Sequence, residues 1–266
     1  MTDATRRETS LDLDLREALS RDEFYLVYQP EIDLHTNAFA GVEALLRWRH
    51  PTRGVVNPAD FLPLLERSGD IVAVGLWTLA TACEQGADWH AKGYRFPVAV
   101  NASAQQLRDD HFVEDVARIV RDARVDPTHV TLEFSQASLL DEVGLDHVRA
   151  VHELGVRVAI DDVVPGHPSF DQLASWPVNI LKLDRGFVSA HATTAEGVAV
   201  IQALVHDARA LSLRVIAAGV EDATQRDHLR AELVDVGQGF HFARPYEAEE
   251  IDRYLEDYSL FSGRPL

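Results

Sequence analysis

Short apolar runs alternate with amphipathic stretches along most of this chain, and that alternation predicts its secondary structure. Leu11, Leu15, Ala18 and Leu19 share helical spacing and precede a first strand over 24–29, which Pro30 is expected to end. Residues 33–37 read as a turn into a second strand, 39–48, bounded by Pro51. Asn57 and Pro58 predict the cap and first position of a helix, and a longer helix is expected over 71–92, stopped by Gly93. From there strands and helices recur in pairs: 96–101 with 110–123, 130–134 with 144–154, 156–160 with 169–175. The pairs continue as 180–183 with 194–211 and 213–217 with 222–232, then a short strand near Val234 and a last helix over 247–258. Such units imply a parallel sheet with right-handed crossovers. Eight strands in one domain of this length predict an α/β, TIM-like (β/α)8 barrel over 11–260, with tails at 1–10 and 261–266.

Charged residues interrupt the apolar runs at particular places. Glu43 and Arg47 lie inside the second strand, four residues apart, so the period of two puts them on one side. A buried carboxylate is costly without a partner, which leaves two readings: an internal Glu43–Arg47 ion pair, or a metal ion held by Glu43. Asn101, Glu133, Asp161, Asp162, Lys182 and Gln238 fall at or near the ends of later strands. In a parallel barrel those ends share the rim that carries active sites. Taken singly each has an ordinary explanation as a cap, a surface charge or a loop start. Together the carboxylates and the Asn amide form an oxygen-only donor set suited to Mg2+ or Mn2+, and a pair of such ions can hold a phosphodiester and activate water.

Composition narrows the classes. A formal net charge of −18 argues against nucleic acid as a partner. The single cysteine, Cys83, excludes an intrachain disulfide and a cysteine-based zinc site. The longest uncharged apolar run, 71–83, is too short for a bilayer, and the charged first twenty-odd residues do not resemble a secretory signal, so no membrane role and a cytoplasmic location are expected.

The run Glu43-Ala44-Leu45-Leu46-Arg47-Trp48 resembles the signature of the EAL domain family, bacterial phosphodiesterases of cyclic di-GMP. The likeness extends through Tyr28-Gln29-Pro30, Pro58-Ala59-Asp60-Phe61, Asn101-Ala102-Ser103, Lys182-Leu183-Asp184-Arg185 and Gln238-Gly239-Phe240 to Arg244-Pro245. It implies that Glu43, Asn101, Glu133, Asp161 and Asp162 are metal ligands for Mg2+ or Mn2+. It implies catalytic positions for Lys182, near the attacking water, and Gln238, and ligand contacts for Gln29, Leu46, Arg47, Asp184 and Arg244. Cyclic di-GMP is the implied partner, with room for a homodimer and for a protein partner.

Three departures bear on catalysis. Where the family pattern reads Glu-Gly-Val-Glu, this chain has Ala218-Gly219-Val220-Glu221, losing a carboxylate implicated in metal binding and nucleophile activation. The loop after Asp162, 163–169, gains two prolines and loses a glycine, and in the family it links metal binding to dimer contacts. Gln136 stands where the family has a Glu that supports that loop. The expected function is a catalytically impaired cyclic di-GMP receptor. The alternatives are an active phosphodiesterase giving pGpG, and a protein-interaction scaffold without ligand.

Overall fold

In a computed structural model, described for residues 11, 13–163 and 169–262, the first two strands form a hairpin. Strand β1 (Phe24–Asp33) pairs antiparallel with β2 (Phe39–His50). The connection is tight: Asp33 Oδ1 accepts from the backbone N–H groups of His35 and Thr36 at 3.0 and 2.8 Å. So short a link has no room for a crossover helix, so the first strand runs against its neighbours. Pro30 does not end β1, contrary to expectation. It falls between the isolated Tyr28–Tyr246 bridge and the β1–β9 ladder that begins at Glu31, where no backbone donor is used.

After a short strand β3 (Gly54–Val56) that turns back to pair antiparallel with the end of β2, the chain adopts the predicted rhythm. Helix α1 (13–18) precedes the barrel, and α2 (Pro58–Ser68) and α3 (Ile71–Ala91) lead to β4 (Val98–Asn101). Then follow α4 (Ala104–Leu107), α5 (Phe112–Ala123), β5 (Val130–Ser135), α6 (Glu142–Glu153) and β6 (Arg157–Val163). The remainder is α7 (Phe170–Ser175), β7 (Ile180–Leu183), α8 (Arg185–His191), α9 (Ala195–Ala210), β8 (Arg214–Ala217), α10 (Ala223–Ala231), β9 (Val236–Gln238) and α11 (Ala248–Ser262). Helices α4 and α8 occupy stretches for which the pattern predicted no element, each held by a side-chain cap, Ser103 to Gln106 N and Asp184 to Phe187 N. Strands β2, β4, β5, β6, β7, β8 and β9 are parallel neighbours, and β1 closes the eight-stranded barrel antiparallel to both β9 and β2.

Strand alternation sorts side chains between two cores. Leu132, Phe134, Leu181 and Leu183 pack outward against the helices, in the main hydrophobic cluster. Ala159, Ile180, Ile216 and Val236 form a smaller cluster apart from it, on the opposite parity of β6 to β9. A third cluster, Leu15, Ala18, Phe24, Trp48, Phe61 and Leu65, seats α1 against β2 and α2. No helix among the described residues is long and apolar enough to cross a membrane. Residues 164–168 of the rebuilt loop, and the 1–10 and 263–266 parts of the tails, lie outside the described residues.

Candidate active site

Glu43, Asn101, Glu133 and Gln238 gather around Lys182. This lysine on β7 is 2% exposed, and its ammonium donates to Glu43 Oε2 at 2.7 Å and to Glu133 Oε1 and Oε2 at 3.1 and 2.9 Å. Asn101 Nδ2 donates to Glu43 Oε1 at 2.7 Å, and Gln238 Nε2 to Glu43 Oε2, also at 2.7 Å. Glu43 therefore has its cation, but it is Lys182 rather than Arg47. The ion pair within β2 is not formed; Arg47 Nη1 bonds Leu46 O at 2.8 Å instead.

The electrostatics follow from burial. Desolvation pushes the Glu43 carboxyl up, but the Lys182 charge and the bonds from Lys182, Gln238 and Asn101 outweigh it and hold it below its ordinary value. Glu133 has the same cation but less help: burial, reinforced by Glu43 and Asp161, keeps it well above its ordinary value. Desolvation would lower Lys182, yet Glu133 and Glu43 hold the ammonium well above its ordinary value.

Asp161 and Asp162 stand at a break in the β6–β7 register, between Ile160 and Val163. Asp162 takes a left-handed φ of 55°, which Asp tolerates better than most residues, and its N–H donates to Asp161 Oδ1 at 2.8 Å. The irregularity places both carboxylates on the wall of a cavity of about 550 Å3. Burial raises both pKa values, with Glu43 and Asp162 adding to Asp161, and Asp184 and Glu43 adding to Asp162. Arg47, Leu46, Asn101 and Glu133 line the same cavity, whose far wall is Leu62, Ile71 and Val74 of α2 and α3. It also includes Gln106, a buried side chain in the capping box of α4 that sequence reading did not single out.

Gln29, Gln238 and Ala218 line a separate cavity of about 110 Å3, with Arg185, Glu221 and Phe240. Glu221 does not replace the missing carboxylate there: it is half exposed and paired with Arg185 at 3.1 Å. Asp184 accepts from Phe187 N at 2.7 Å as the cap of α8, and the Arg244 guanidinium lies 4.5 Å from the centre of the Phe240 ring; neither lines the larger cavity. Among the described residues, no three His, Cys, Asp or Glu side chains close on a metal-sized point. Glu43 and Glu133 are held by Lys182, whereas Asp161 and Asp162 line the cavity without an ion pair among the described residues. The donor set, all oxygen, is chemically of the kind a hard divalent ion takes. One buried acid was missed, Glu31 on β1. The signal was masked: Pro30 was expected to end the strand and Asp33 follows two residues on, so Glu31 read as part of a polar turn.

Residues 12–245 match the family model described as EAL domain. Cyclic di-GMP phosphodiesterase PA2567 of Pseudomonas aeruginosa is 36% identical over 256 residues, covering 95% of this chain and 43% of that protein. Cyclic di-GMP phosphodiesterase PdeR of Escherichia coli is 35% identical over 250 residues, covering 93% of this chain and 38% of that protein. This chain thus spans about two-fifths of the length of the curated relatives it matches. Among solved structures, the PaMucR phosphodiesterase in complex with c-di-GMP superposes with a TM-score of 0.87 at 36% identity, covering 91% of this chain and 99% of that one.

Proposed function

This chain belongs to the EAL domain family, and from that premise we propose that it is a cyclic di-GMP-binding domain whose hydrolytic capacity is reduced by Ala218. One observation carries the reading: a single cavity joins the Arg47 guanidinium to Asn101, Glu133, Asp161 and Asp162. A guanidinium fork suits a ligand phosphate, and the apolar α2–α3 wall suits a base. Gln29, Leu46, Asp184 and Arg244 are assigned ligand contacts in the same proposal. The relatives named as cyclic di-GMP phosphodiesterases and the complex of PaMucR with that ligand support it.

Glu43, Asn101, Glu133, Asp161 and Asp162 would hold Mg2+ or Mn2+. The ion, when bound, supplies Lewis-acid polarisation of the phosphodiester and a more acidic water. Lys182 keeps Glu43 ionised, and Gln238 and Asn101 fix its orientation. Ala218 offers no oxygen, and loss of even an outer partner of a metal typically costs about 10–100-fold in affinity or activity. The second reading, a fully active phosphodiesterase giving pGpG, is favoured by the names of the relatives and by the assembled Lys182 cluster.

Calorimetry with cyclic di-GMP tests binding, and no heat at high micromolar ligand rejects it. Incubation with Mg2+ or Mn2+ followed by chromatography then separates the two readings: slow appearance of pGpG, accelerated by Ala218→Glu, is the expected result. Rapid turnover by the unmodified chain, unimproved by that substitution, selects the second reading. A homodimer, a protein partner and a cytoplasmic location are part of the proposal, and sedimentation with and without ligand tests the first.

A further inference from the structure

Beneath the site, the barrel holds a carboxylate for which the proposed chemistry has no use. Glu31 is 5% exposed, and its Oε1 is buried without a hydrogen-bond partner among the described residues. Strand register puts it there: it lies opposite Gln238 of β9 on one side and Gly41 of β2 on the other. A Cβ on Gly41 would stand 3.1 Å from Glu31 Oε2 and 3.0 Å from Pro97 O, so glycine makes the room this side chain occupies. Next to it is a void of about 10 Å3, also lined by Thr131, Glu133, Arg157 and Arg214.

An unpaired buried acceptor is expensive and rare in native proteins. The void is about the size that accommodates one water, and its walls are polar enough to hold one. A divalent ion needs six or more oxygen ligands, and two guanidiniums in the lining disfavour any cation. From this we infer that the void binds one water molecule that donates to Glu31 Oε1 and to Glu133, with the Thr131 hydroxyl donating to it. Glu31 is then a positioning residue. It acts through the water on Glu133, whose oxygens both contact Lys182 at 3.1 and 2.9 Å, and each can accept a further bond.

A crystal structure of the whole chain at about 1.5 Å tests the site directly. The expected map has one peak at ordinary hydrogen-bond distance from both carboxylates, roughly 2.6–3.2 Å. It should persist in Glu31→Gln, whose amide oxygen still accepts, and vanish in Glu31→Leu. The kinetic arm rests on the proposed function: Glu31→Leu should lower kcat for cyclic di-GMP about tenfold with KM nearly unchanged, and Glu31→Gln should restore it. No peak in the wild-type map, or a peak with metal-like distances near 2.1 Å, overturns the water site. Unchanged kcat in Glu31→Leu overturns the positioning role. If wild-type protein turns nothing over, the proposed hydrolysis fails while the map still decides the water.

Discussion

Lys182→Met removes the one ammonium that both Glu43 and Glu133 bond, while keeping the side chain's length. The ammonium makes three contacts of 2.7 to 3.1 Å, in a place where lysine, Glu43 and Glu133 are 2, 7 and 1% exposed. Breaking a buried pair by deleting one partner costs about 3–5 kcal/mol, because it strands the other charge. That is a large part of a total stability of roughly 5–15 kcal/mol. With a urea slope of about 2–3 kcal/mol/M, the midpoint should fall by roughly 1–2 M near neutral pH. The loss should depend on pH with a definite sign. Without Lys182 both carboxyls titrate above their unfolded values, so the variant binds protons more tightly folded than unfolded. That contribution is fully present at low pH and is lost as pH rises through the raised values. The deficit should therefore be smaller at a pH near the ordinary carboxylate value than near neutrality, and adding Glu133→Gln should recover part of it. Equilibrium urea unfolding of the four proteins of the cycle is the assay. A midpoint shift below about 0.3 M, or an equal deficit at both pH values, would refute the reasoning.

Arg47→Ala should weaken cyclic di-GMP binding by about 10–100-fold in calorimetry, the worth of charge-assisted bonds to a phosphate, and Arg47→Lys should fall between. An unchanged Kd would remove Arg47 from the ligand site. Gly239 has φ +156°, and a Cβ there would lie 2.1 Å from Val220 O. Gly239→Ala should accordingly lower Tm measurably, by the few degrees or more that about 1–3 kcal/mol of backbone strain implies. Cys83 is 2% exposed and burial pushes its thiol up to about 12, so it should be inert to a disulfide reagent near pH 8 and react fully only in urea. Rapid labelling of folded protein would contradict its packing.

The strand–helix rhythm was legible because each strand packs its outer face on helices, and the resulting apolar runs are a local property. The polar rim was legible for a related reason: a Lys or Glu inside such a run has few places to go except the barrel interior. Less of β1 could be read. Pro30 signals an end to any ladder that needs its N–H, and only the position of β9 and of Tyr246 removes that need. Helix α8 begins on Asp184, whose capping bond to Phe187 decides between loop and helix.

The alphabet and spacing of this chain determined the barrel, the family and, Glu31 excepted, the acids and the lysine forced inside, since hydrophobic periodicity and the cost of burying charge act along the chain itself. Which charges then pair was beyond it. Glu43 lies 139 residues from Lys182 and four from Arg47, yet it bonds the lysine. Strand closure, not sequence distance, sets the approach of side chains, and a buried ammonium at 2.7 Å outweighs a guanidinium that reaches solvent and a nearby carbonyl. The same closure left Ala218 beside a cavity and Glu31 above a void the size of one water, neither of which any local pattern encodes.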